Sequence, residues 1–163
     1  MAANGSPNQG CRTGCVVSIN RSDGGVPKQS VDQVLITEAG VAGDRQRNLE
    51  LHGGPDRAVL LYSLEVIGAL AGEGHPIGVG TVGENLTVSG IDWTLMIPGT
   101  EVSVGPVRLR ITKYATPCHK IKQSFLNEDF SRIRHDLHPG WSRVCCRVLE
   151  PGIVQVNSPV VVL

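Results

Sequence analysis

At 163 residues, with 40% hydrophobic side chains, the chain is long enough for one domain built round a full hydrophobic core. Fifteen basic residues balance fifteen acidic ones, which excludes the charge excess of a general nucleic-acid or anionic-membrane binder. No run approaches the roughly 18 to 20 apolar residues that span a bilayer, and the five cysteines (Cys11, Cys15, Cys118, Cys145, Cys146) form neither a CxxC pair nor a zinc ribbon.

The first stretch, MAANGSPNQG, is small and polar without the charged-then-apolar layout of a secretory signal. Residues 1–13 are expected to be a disordered leader and 14–163 a single domain, with reduced thiols in a cytoplasmic protein. Runs rich in Val, Ile and Leu then recur between glycine and proline signals: GCVVSIN, VDQVLITE, RAVLLYS, EVSVG, VRLRIT, RVCCRVLE, GIVQV and PVVVL. That pattern predicts a mainly β, α+β domain whose sheet closes or folds over itself. EVSVGPVRLRIT reads as a hairpin turning at Gly105-Pro106, with Val107, Leu109 and Ile111 on one face and Arg108 and Arg110 on the other.

Two helices decorate the predicted sheet. One starts at Ser63 as N-cap, with Leu64, Ile67, Leu70 and Ala71 as its apolar stripe. The other spans Asn127 to Leu137, where Phe130, Ile133 and Leu137 recur at helical spacing, and His135 and His138 fall on its surface.

Three stretches carry chemistry-bearing residues. GVAGDRQRNLELHGGPDRAVLLYS sets Asp44, Arg45, His52 and Arg57 among glycines that let a backbone approach a ligand; a long surface loop with bridging Asp-Arg pairs explains the same letters. It is neither a Walker loop nor a Rossmann fingerprint. In VGENLTVSG, Glu84 and Asn85 have the donor and acceptor groups to read the edge of a heterocycle; Asn85 equally suits satisfying a buried loop backbone. In YATPCHKIK, Pro117 restricts Thr116 to an extended conformation and places Cys118 at a strand end, beside His119 and Lys120. Cys118 is thereby a candidate metal ligand or nucleophile, whereas Cys145 and Cys146 sit within a strand as apolar filler. Between Val102 and Asn127 no acidic residue occurs, while Arg108, Arg110, Lys113, Lys120 and Lys122 all do. That window is either a solvated basic face or a local positive field around Cys118.

Taken in order, GGVPK, GVAGDRQ, HGGPDRAVLLYSLE, GENLT, IPGTEVSVGPVRLRIT, PCHKI and GWSRV resemble the MOSC domain, the family named for the C-terminal domain of molybdenum cofactor sulfurase. The resemblance runs from about Val16 to the C-terminus. It implies a β-barrel with peripheral helices and a cleft for molybdopterin. Cys118 is then the molybdenum ligand and the one catalytic residue, or the acceptor of a sulfur atom. Lys28, Arg45, Arg57 and Lys120 are expected to serve the cofactor's phosphate, Glu84 and Asn85 to address the pterin, and Thr116 to contact the cofactor. Gly53 and Gly54 give close approach, and Asp44 or His52 orient the donors from behind. Relatives of two kinds imply two activities: a molybdenum-dependent reductase of small N-hydroxylated compounds, fed by a separate electron-donor protein, or a non-catalytic cofactor or sulfur carrier. Neither requires nucleic acid or a membrane.

Overall fold

The computed structural model describes residues 10–44 and 54–163. Among the described residues eleven strands run in chain order: β1 (Thr13–Arg21), β2 (Gln29–Val31), β3 (Gln33–Thr37), β4 (Gly40–Val41), β5 (Val59–Ser63), β6 (Leu86–Ser89), β7 (Glu101–Val104), β8 (Val107–Tyr114), β9 (Val144–Glu150), β10 (Gly152–Gln155) and β11 (Pro159–Val162). Helix α1 (Leu64–Gly72) follows β5.

The main sheet closes on itself. Its order is β11-β7-β8-β9-β5-β6-β1-β2, and β1 also pairs with β11, so seven strands form a barrel and β2 hangs from β1. Closure leaves those seven strands without an open edge. β5 and β6 are the parallel pair in this ring, and α1 lies in the crossover that a parallel neighbour requires. A small sheet, β10-β3-β4, adds Val34, Ile36 and Val154 to the same core.

The expected alternation in the hairpin is present. Val107, Leu109 and Ile111 are buried, while Arg108 and Arg110 face outward. Each buried aliphatic side chain contributes about 1.5 to 3 kcal/mol, and that preference sets the register. Val104 pairs with Val107 across a two-residue turn. Gly105 takes φ 53° there, the left-handed first position that such a turn assigns to glycine.

Ser63 caps α1 by accepting the Val66 N–H at 3.2 Å. Ile67 and Leu70 face the core, but Ala71 is exposed and leaves the expected stripe. The second helix does not form. Residues 119–133 instead make three successive 3-10 turns, His119–Ser124, Leu126–Glu128 and Phe130–Ile133. Asn127 and Glu128 sit at φ 55° and 56°, outside the helical region, and the Asp129 carboxylate takes the Ser131 N–H locally. Such short side-chain bonds compete with a helical ladder. Ile133 still packs into the core, while Leu137 is exposed.

The expected leader covers residues 1–13, of which residues 10–13 are described. Asp92 N–H donates to Cys11 O and Val162 N–H to Arg12 O, which ties residues 11–13 to the barrel. The remainder of that segment, residues 1–9, lies outside the described residues. No helix of the described chain is long and apolar enough to cross a membrane.

Candidate functional site

A cleft of about 360 Å3 opens at one end of the barrel. Among the described residues five pieces of chain build it: the loop Gly25 to Lys28 between β1 and β2, Arg57 to Leu60 leading into β5, the Val82-Gly83 approach to β6, the end of β8 running on through Cys118 to Ile121, and the start of β9. Ala115 N–H donates to Arg143 O at 2.9 Å, keeping the two chains paired one residue beyond Tyr114. Pro117 then turns the chain, and Cys118 O accepts Ile121 N–H at the start of the first 3-10 turn. Cys118 is thus held between a strand end and a turn, half-buried in the cleft wall.

The charge is one-sided. Lys28, Arg57, Lys113, Lys120 and Arg143 line the cleft, and among the described residues no acidic one does. The basic window seen in the sequence therefore divides. Arg108 and Arg110 pair with Glu101 on the outer surface and Lys122 pairs with Glu128, whereas Lys113 and Lys120 enter the cleft. Neither alternative for that window describes all of it.

Lys28 is already paired. Its Nζ lies 2.6 Å from Asp44 Oδ2, and both side chains are under 10% exposed, at 8% and 6%. Asp44 also accepts Asn85 Nδ2 at 2.8 Å and Ser22 N–H at 2.9 Å. Lys28 is further placed by its own N–H, which donates to Gly80 O at 2.9 Å. Gly80 has φ 79°, and a Cβ there would stand 2.7 Å from Lys28 O, so the close approach requires glycine.

Arg143 forms the floor. It is 6% exposed, its Nη1 donates to Val82 O at 2.7 Å, and its Nε has no partner among the described residues. Burial draws its pKa down, and the ionisable groups of Tyr62, Cys145, Glu84 and Cys118 oppose that. Beneath it lies Glu84, fully buried, with both carboxylate oxygens unpartnered among the described residues. Burial pushes its pKa up to about 7. Arg143, the nearby amides of Gly80 and Glu84 itself, and Lys28 pull the other way, but the amides do not close hydrogen bonds of normal geometry.

Of the residues singled out in the sequence, Lys28, Arg57, Thr116, Cys118 and Lys120 line the cleft together. Asp44 is not in the lining and pairs with Lys28. Glu84 and Asn85 lie beneath the surface, at 0% and 1% exposure, rather than in the lining. The polar atoms of Asn85 serve the protein: Oδ1 accepts Leu60 N–H and Nδ2 donates to Asn20 O and Asp44. Gly54 is exposed, at φ 95°, with open space where a Cβ would stand. Arg45, His52 and Gly53 lie outside the described residues. The sequence missed Arg143, Lys113, Tyr114 and Cys145 as lining residues. GWSRV contained Arg143 without giving it a task. Cys145, taken as strand filler, is buried but borders the cleft, and burial pushes its thiol up.

A family model described as the MOSC domain matches residues 48–161. The chain belongs to the MOSC domain family. Molybdenum-cofactor binding is the property associated with that family. The chain is 28% identical over 140 residues to Protein YiiM of Escherichia coli K12, covering 82% of this chain and 61% of YiiM. It is 28% identical over 127 residues to YflK of Bacillus subtilis 168, named as uncharacterized, covering 77% and 56%. It therefore spans about three-fifths of the length of these curated relatives.

Solved structures share the MOSC-type barrel. The YUAD protein from Bacillus subtilis superposes with TM-score 0.75 at 20% identity, over 91% of this chain and 94% of that one. YiiM from Geobacillus stearothermophilus gives 0.71 at 22%, over 92% and 75%. At those identities the likeness speaks for the fold alone.

Proposed function

We propose that the cleft of this MOSC domain holds molybdopterin with Cys118 Sγ as the protein's ligand to molybdenum, and that the domain reduces small N-hydroxylated compounds. The observation that carries the proposal is the lining: among the described residues, the Cys118 thiol shares the cleft with five cationic side chains and no carboxylate. Among the described residues no group of three His, Cys, Asp or Glu could hold a metal by itself. A metal here therefore needs an organic group that brings its own donors, to which one thiolate adds a soft ligand.

The cofactor, when bound, supplies the two-electron chemistry that removes oxygen from an N–O bond. The chain's own residues bind and orient. Arg57, Lys113, Lys120 and Arg143 favour an anionic phosphate, and the Asp44-paired Lys28 adds shape and a donor with little net charge. Val26, Leu60, Val82 and Ile121 keep water from the ring system. Asn85 and Glu84 support this wall from beneath it. The reaction takes two electrons from a separate donor protein and two protons, and leaves the amine and water.

Protein purified from cells able to make molybdenum cofactor should contain molybdenum and pterin. Cys118→Ala should keep its fold by circular dichroism and lose the metal; normal molybdenum retention in that variant would refute the ligand assignment. Bound cofactor without reduction of hydroxylamine-type substrates by a strong artificial donor would assign the domain to cofactor or sulfur carriage instead.

A further inference from the structure

Arg57 reaches the Cys118 cleft from a slight support. It ends the 3-10 turn Pro55–Arg57, in which no residue is buried and which no side chain caps. Apolar packing therefore does not fix the direction of its guanidinium, and a turn of three residues with poor hydrogen-bond geometry adds little of its own.

Polar contacts converge instead on the preceding residue, Asp56. Its carboxylate accepts Arg147 Nε at 2.8 Å, from the outer face of β9, with both side chains at the surface. Its carbonyl accepts from the Thr112 hydroxyl of β8. That hydroxyl also stands 3.1 Å from Cys145 O and shares its one proton between the two carbonyls. Both fastenings fall on the β8–β9 ladder, whose Lys113 and Cys145, paired across the strands, line the same cleft. On the other side of the turn Gly40 of β4 closes in: a Cβ there would stand 2.5 Å from Ala58 O. With Asp56 held outward and Ala58 pressed from behind, Arg57 is committed to the cleft.

We propose that Asp56, fastened by Arg147 and Thr112, is a positioning residue that aims Arg57 at an anion in the Cys118 cleft. A carboxylate beside an anion site opposes the anion through space. The gain that Asp56 brings therefore comes through Arg57: a guanidinium already aimed loses less freedom on forming a bidentate contact with phosphate or carboxylate. The proposal rests on the reading that this cleft takes an anionic group, and not on which cofactor or reaction brings it.

Inorganic phosphate is the probe, titrated calorimetrically at constant ionic strength into the full chain made in cells lacking molybdenum cofactor. The wild type should bind it saturably, and Arg57→Met should bind about tenfold more weakly, the scale of one charge-assisted hydrogen bond. Asp56→Ala and Thr112→Val, each checked for fold by circular dichroism, should weaken binding about two- to fivefold, the scale of an exposed ion pair or a single hydrogen bond. In the Arg57→Met background neither should weaken it further, because both act through Arg57. A general loosening of the cleft would weaken binding in either background, and a purely through-space effect of Asp56→Ala would tighten it. Unchanged or tighter binding in either single variant, or weakening that persists without Arg57, would overturn the proposal and leave the anionic reading of the cleft standing. Wild-type affinity in Arg57→Met would do the same. No saturable phosphate binding in the wild type would overturn both the proposal and that reading.

Discussion

Replacing Glu84 by glutamine should make the protein more stable at neutral and alkaline pH, and should do so progressively. Glu84 is fully buried with both oxygens unpartnered among the described residues. Its pKa rises in the fold from the ordinary 4.5 to about 7, chiefly through burial. An acid raised in this way is protonated in the native state where the unfolded chain has already ionised. Its favourable contribution is therefore complete below about pH 4.5, declines as the pH climbs, and is gone once the pH passes about 7. At about 1.4 kcal/mol per pH unit the whole effect is on the order of 3 kcal/mol. Glutamine has the shape of the protonated acid and no charge to desolvate. Denaturant unfolding of both proteins from pH 5 to pH 8 checks this. The stability difference should move in favour of Glu84→Gln by up to about 3 kcal/mol across that range. Parallel stability curves would refute the reasoning, because they would mean that Glu84 titrates alike in the folded and unfolded chain.

Other outcomes follow from the same buried groups. Asp44→Asn strips the buried Lys28 of its counter-charge and should cost about 3 to 5 kcal/mol in denaturant unfolding. Arg143→Met removes the charge that most opposes the rise at Glu84, so the falling limb of the pH-stability profile should extend above pH 7. Gly80→Ala forces a Cβ against Lys28 O and should lower stability by more than about 1 kcal/mol, measured by thermal unfolding. Asn85→Ala leaves the Leu60 N–H without its acceptor and removes one of the two donors to Asp44 Oδ2, the other being Lys28 Nζ, a loss of about 2 kcal/mol in the same assay.

Period and punctuation were enough for the strands. Alternation over Val107 to Ile111 and the Gly105-Pro106 turn are local signals, and the hairpin follows them residue for residue. The helix expected at Asn127 to Leu137 had the same kind of support and failed. Its apolar spacing was correct, but Asn127, Glu128 and Asp129 found bonds and backbone angles that a short helix could not match. Cys118 was legible because its neighbours, Pro117 and a run of basic residues, are local too. Arg143 and Glu84 were not legible in their actual roles. Arg143 follows Cys118 by 25 positions and reaches the cleft only because β9 pairs with β8. Glu84 looked like a ligand-reading group, and only the packing of Tyr62 and Arg143 around it makes it a buried acid.

Composition and periodicity alone determined a mainly β domain, the hairpin, the capped start of α1, and a thiol set in a basic neighbourhood. Such features depend on residues within a few positions of one another. Barrel closure decided the rest: which cations of the basic window face the cleft and which face water, that Lys28 is paired by Asp44, and that His135 stacks on Tyr114. Those facts depend on contacts between residues far apart in the chain, whose energies exist only once the strands have met.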